Sequence, residues 1–241
     1  MMRIVLALLV ICISMPLLQA DTWRDTYSEL LQKYVSIKGV DYAAWKNNES
    51  DLKSLDYVID FISKNNPIPS TKEAKLSYYM NAYNAWVIKH VLDSYPIRSV
   101  TDLGLGFELF SEERIQVGGK KMSLNHLEKE LLINQLGEAR VHFGVNCAAK
   151  SCPPLAPYAF TQEEVESQLE KLSSEFISNS DVGVKLSGDS LTLSMIFNWY
   201  AEDFNPEGVV AFVNKYRNNK IPKDVKLSYF EYDWALNKSN Q

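Results

Sequence analysis

The chain has 241 residues, 46% of them hydrophobic and 23% charged, with a formal net charge of −5. That length and balance fit one globular domain with a substantial core and exclude an intrinsically disordered chain. Mild acidity without any long basic stretch argues against nucleic acid as a partner.

Arg3, the apolar run Ile4 to Met15 and the stretch Pro16 to Ala20 read as an export signal over residues 1–20, with a cut before Asp21. Cys12 follows Ile11, which is too large for the position preceding a lipidated cysteine. Residues 21–241 then form a single domain that is periplasmic or secreted. No later segment reaches about 18 consecutive apolar residues, so no stable membrane span is expected.

Thr26 to Tyr34 predicts a short helix, and Val35 to Trp45 a turn with extended flanks. Ser50 is placed to cap a helix carrying Leu52, Leu55, Val58, Ile59 and Ile62 on one face, stopped at Asn65-Asn66-Pro67. Thr71 opens a second helix whose wide stripe of Leu76, Tyr79, Met80, Tyr83, Trp86, Val87 and Val91 ends at Tyr95-Pro96, the pattern of a central helix. Ile115 to Met122 predicts a hairpin around Gly118-Gly119. Asn125 and Glu128 have capping-box spacing for a helix to Asn134.

Val141, Phe143 and Val145 alternate with His142, Gly144 and Asn146, the two-residue period of a half-buried strand. Thr161 and Glu164 have capping-box spacing for a helix through Phe176, and Gly188-Asp189 centres a hairpin between Val182–Ser187 and Ser190–Leu193. Helices follow at Met195–Phe204 and Val209–Arg217, then an alternating strand from Val225 to Asp233. Without a regular strand-helix alternation, the expected class is α+β, a single domain with helices packed on a mainly antiparallel sheet.

The chemistry is concentrated in Arg140-Val-His-Phe-Gly-Val-Asn-Cys-Ala-Ala-Lys-Ser-Cys-Pro154, which holds two of the three cysteines and one of the three histidines. This block, RVHFGVNCAAKSCPPL (Arg140 to Leu155), occurs in order with YMNAYNAWVIKHVLDSYPIRSVTDLG (Tyr79 to Gly104), VGGKKMSLNHLEKELL (Val117 to Leu132), LSMIFNWYAEDF (Leu193 to Phe204) and SYFEYDWALN (Ser228 to Asn237). Together they resemble the domain-of-unknown-function 547 family. The resemblance implies a fold related to papain-like thiol enzymes and names no reaction. Where the family commonly has isoleucine-glutamate-histidine after its hairpin, this chain has Leu127-Glu128-Lys129, so Glu128 matches and the histidine does not.

A catalytic cysteine needs a thiolate near neutral pH, which requires a neighbour that lowers its pKa from about 8.5. Cys147 lies just past the predicted strand end, with Lys150 adding positive charge. On this reading Cys147 attacks an amide, ester or thioester and His142 is its general base. Asn146 or a nearby backbone amide donates to the oxyanion, and Glu128 or Asp233 orients the imidazole. Strict alternation would put Cys147 on the opposite face from His142, so their contact requires the strand to break at Asn146. The ligand is an unidentified small molecule or peptide, and no cofactor is implied.

Two other arrangements use the same residues. A Cys147–Cys152 disulfide stiffened by Pro153 and Pro154 would make the protein a non-catalytic binding or scaffold module. A metal held by His142, Cys147 and Cys152, with His126 or His90 as fourth ligand, matches no standard zinc spacing. The tyrosines and tryptophans of the central helix read as core, whereas Asn81 and Asn84 inside it call for specific hydrogen bonds and are placed to brace the site from below.

Overall fold

A computed structural model describes residues 15–67, 71–222 and 224–239, with backbone alone for 15–21. The expected export signal falls largely on residues 1–14, outside the described residues. Helix α1 (Met15–Tyr34) begins well before the expected start at Thr26, stops at the expected end and leads into a two-residue-per-strand hairpin, β1 (Val35–Ser36) and β2 (Gly39–Val40). Helix α2 (Tyr42–Lys46) and helix α3 (Glu49–Lys64) follow. The cap of α3 is Asn48, whose side chain accepts from the Asp51 amide, rather than the expected Ser50. Trp23 of α1 stacks on Phe61 of α3 at 5.3 Å, and Tyr34 stacks on Trp45 at 4.7 Å.

Helix α4 (Lys72–Ser94) is capped by Thr71, as its sequence predicts, and buries residues on every side, including Leu76, Met80, Val87 and Val91. A helix apolar all round belongs in the centre of a domain, and the other elements wrap it. After the short helix α5 (Glu108–Ser111) comes the predicted hairpin of β3 (Ile115–Val117) and β4 (Lys120–Met122). Gly118 and Gly119 both have positive φ, 58° and 81°, which the tight turn requires and side chains resist.

The next segment is a π-helix, His126–Asn134, a geometry that widens the turn and is often found at functional sites. Its start differs from the expected capping box. Ser123, not Asn125, accepts the His126 amide at 3.0 Å, because Glu128 turns inward toward a charged partner instead of back toward the helix end.

The alternation of Val141 to Asn146 produces no strand. Val141–Gly144 is one helical turn, α6, followed by an extended loop, and all six residues are buried. A two-residue period distinguishes a strand only when one face meets solvent, and neither does here. Gly144 lets this turn approach its neighbours closely, since an added Cβ would lie 3.0 Å from the Met80 sulfur and 3.3 Å from Leu169.

Helix α7 (Val165–Ser178), the hairpin β5 (Val184–Ser187) and β6 (Ser190–Leu193), and helix α8 (Ile196–Trp199) follow. The predicted helix Met195–Phe204 breaks after Trp199 and resumes as a 3-10 turn, Ala201–Phe204. Helix α9 (Val209–Lys215) and strand β7 (Lys226–Tyr229) complete the regular elements. The fold is α+β, but among the described residues its strands form three small sheets instead of one. Two are antiparallel hairpins, and in the third β7 lies parallel to β6. Strands of two to four residues cannot organise a core, so the helices do. Among the described residues no helix is long and apolar enough to cross a membrane.

Candidate functional site

The loop after α6 carries Cys147 and Cys152 and is held from two directions. From below, Asn84 of α4 donates its amide to the Gly144 carbonyl at 2.9 Å and accepts from the Asn146 backbone N–H at 2.8 Å. Asn81, one helical turn earlier, grips both backbone groups of Phe160 at 2.8 Å. From the other side, the C-terminal segment runs along the loop: Lys150 N–H donates to Ala235, Asn237 N–H to Ala148, and Ser151 N–H to Asp233.

Both asparagines of α4 are fully buried and use donor and acceptor alike, so their replacement leaves backbone groups unpaired. Asn84→Ala is expected to lower unfolding free energy by on the order of 3 kcal/mol, measured by denaturant melts, because two buried groups lose their partner. A loss below about 0.5 kcal/mol would show that the loop finds other partners.

Asn146 is committed to this scaffold. Its side-chain amide donates to the Pro153 carbonyl at 2.7 Å, and its oxygen accepts from the Ala148 N–H at 2.9 Å and the Asn237 amide at 3.1 Å. These bonds hold Ala148 at φ 63°, a left-handed conformation that costs a non-glycine residue about 1 kcal/mol or more. The oxyanion role expected of Asn146 would rest on the one amide N–H that these bonds leave over.

The sharp loop brings the two cysteines together without a bond between them. The Cys147 N–H donates to the Cys152 sulfur at 2.9 Å, and the Cys147 sulfur lies 3.4 Å from the Tyr232 hydroxyl. Hydrogen bonding from Cys152 chiefly lowers the Cys147 pKa, with help from Tyr232 and the Ala149 backbone N–H and against the effect of burial. Cys152 is buried and moves the opposite way, well above the usual thiol range, through burial and its bond to Cys147. Of the pair, Cys147 is the thiol whose ionisation is favoured and Cys152 the one whose ionisation is opposed.

His142 does not contact this pair by hydrogen bond. Its Nε2 meets the Asp203 carboxylate at 2.7 Å and its Nδ1 lies 3.3 Å from Glu128. Burial alone would lower its pKa, but the two carboxylates outweigh burial and raise it, favouring the protonated ring. Tyr200 stacks on the ring at 4.2 Å, and Lys129 sits 5.9 Å from the centre of Tyr200. Both ring nitrogens thus face carboxylates, and neither is directed at Cys147 in this arrangement. The expected orienter Glu128 is at the ring, whereas Asp233 is on the C-terminal segment, accepting from the Ala235 N–H and 4.0 Å from Lys150.

The remaining histidines lie elsewhere. His126 is exposed on the π-helix and His90 packs on Trp86 near the end of α4, so neither joins His142, Cys147 and Cys152 as a metal ligand. Among the described residues no group of three or more His, Cys, Asp or Glu side chains is arranged to hold a metal ion.

Cys147, Cys152, Glu128 and His142 line one cleft of about 340 Å³, within the usual range for small-molecule sites. Tyr83, Tyr200 and Tyr232 face it as well, and Phe107, Trp199 and Trp234 stand among its lining residues. Sequence reasoning missed Asp203 and gave Tyr200 and Tyr232 no part in the thiol chemistry. Each comes from an aromatic-rich segment distant from the cysteines in sequence, and only the break after Trp199 and the return of the C-terminal segment deliver them.

Residues 68–177 match the family described as "Protein of unknown function, DUF547". The match contains α4, the π-helix, both cysteines and His142, and it ends before Tyr200, Asp203 and Tyr232. No curated protein and no solved structure matches the chain.

Proposed function

We propose that this chain, which resembles the DUF547 family over residues 68–177, is a thiol-dependent hydrolase or acyl transferase with Cys147 as its nucleophile. The observation that carries this reading is the pairing of a half-buried Cys147, bonded to Tyr232, with a buried Cys152 beside it in the wall of the cleft. A thiolate supported by neutral donors keeps its nucleophilicity without a histidine base.

In the first step a carbon–sulfur bond forms between Cys147 and the carbonyl of an amide, ester or thioester. The bond to the leaving group breaks, and that group departs with a proton taken from water in the cleft. Tyr232, whose pKa is raised by burial, keeps its proton and can turn it from the spent sulfur to the developing oxyanion. Water then hydrolyses the thioester, releasing the acid and regenerating Cys147. An alcohol, amine or thiol in place of that water makes the reaction a transfer. His142 contributes charge to the wall and holds Glu128 and Asp203 in place.

Incubation with p-nitrophenyl acetate, followed by intact mass and peptide mapping, tests the reading. One acetyl group on Cys147 that is absent from a folded Cys147→Ser variant is the expected result. Acetylation at other residues only, or none, would overturn it. Export to the periplasm or medium belongs to the same proposal and rests on Arg3 and the apolar run behind it. Amino-terminal sequencing of protein from its native host should begin at Asp21.

A further inference from the structure

We propose that the mouth of the cleft binds an organic cation of alkylammonium type, which makes the substrate of the thiol chemistry one that carries such a group. This deepens the reading of the same cleft and rests on it only for the word substrate.

The mouth is built of aromatic rings in mutual contact. Trp234 lies 4.8 Å from Phe107, 5.7 Å from Trp199 and 4.5 Å from Tyr232 between ring centres, and Trp199 lies 4.8 Å from Tyr232. Core aromatics are covered, yet Phe107 is 50% and Trp199 44% exposed. Large aromatic rings held open to water at the rim of a cavity are a standing cost unless something covers them.

Charge decides what that is. No lysine or arginine lines the cleft, and its one carboxylate, Glu128, pairs with no lysine or arginine among the described residues. The single positive charge of a protonated His142 is shared between Glu128 and Asp203. Asp203 stands behind the ring and is not among the lining residues, so the charged groups of the lining itself are Glu128 and His142. Lys129 lies against Tyr200 and Lys150 near Asp233, and neither lines the cavity.

A carboxylate or phosphate would meet Glu128 with no lysine or arginine in the lining to receive it. A neutral apolar group would cover the rings without using the attraction of their faces for positive charge. A cation with an apolar envelope satisfies both, since aromatic faces attract positive charge and gain from contact with its methyl groups. The cavity of about 340 Å³ suits a small molecule or one modified side chain.

Tryptophan fluorescence titration with choline and with its neutral isostere 3,3-dimethylbutan-1-ol tests the proposal. Choline is expected to bind at least about tenfold more tightly, and Trp199→Ala or Trp234→Ala to remove most of that binding. Equal affinity for the two probes, or no saturable response to either, would overturn it. The Cys147→Ser variant should bind choline as the wild type does. Failure of thiol acylation with choline binding intact would sink the catalytic reading alone, and the reverse result would sink only this one.

Discussion

Replacing His142 by asparagine is expected to lower the melting temperature by on the order of 10 °C. The His142 ring stands between Glu128 and Asp203 with its side chain 2% exposed, and Glu128 is itself buried. Removing one partner of a buried ionic cluster costs about 3–5 kcal/mol, because the charge left behind has neither water nor a counterion. Adding Glu128→Gln to the variant should return a large part of that loss, since the charge left unpaired in the core is then gone.

The sign of the pH dependence follows from the raised pKa. A group that holds its proton more tightly folded than unfolded stabilises the fold fully below its unfolded value, about 6.5 for histidine, and loses that contribution as pH rises through the native value. The stability gap between wild type and H142N should therefore shrink between pH 6.5 and 9. Melts across that range, with the His142 ring protons followed by NMR, check it. A gap that widens with pH, or a ring that titrates below 6.5, would show that the imidazole is neutral and available as a base after all.

The second large effect concerns the thiols. In native protein, iodoacetamide is expected to label Cys147 well below pH 8.5 and to leave buried Cys152 untouched. Cys152→Ala should slow labelling of Cys147 at pH 7 by about tenfold, because the neighbour whose hydrogen bond chiefly favours the thiolate is removed. Tyr232→Phe should act in the same direction and by less. If neither cysteine labels until the protein is reduced, the pair is bridged, and the binding-module alternative with a structural disulfide takes over from the catalytic one. Equal loss of thermal stability in Cys147→Ser and Cys152→Ser would support that outcome.

Local signals in the sequence were sound where they depended on neighbours along the chain. Thr71 caps α4, Gly118-Gly119 makes the hairpin turn, and the apolar face of α3 is buried as its spacing predicts. Asn84 also behaves as a buried asparagine in a strong helix must, by finding specific backbone partners. Signals failed where burial was not one-sided. Val141 to Asn146 alternates in sequence but lies wholly inside, so nothing selects a strand over a helical turn. The Asn125–Glu128 spacing is that of a capping box, yet Glu128 has a stronger partner in the core than at the helix end.

By itself, the sequence determined the α+β class, the central place of α4 and the concentration of chemistry in one loop, all consequences of side-chain type and spacing within about twenty residues. Which atoms meet was decided only by the tertiary structure. The helix break after Trp199 carries Asp203 to His142, and the C-terminal segment brings Tyr232 to Cys147 across 85 positions of chain. Hydrogen bonds and ion pairs act over a few ångströms, and no local periodicity encodes which distant segments close that gap.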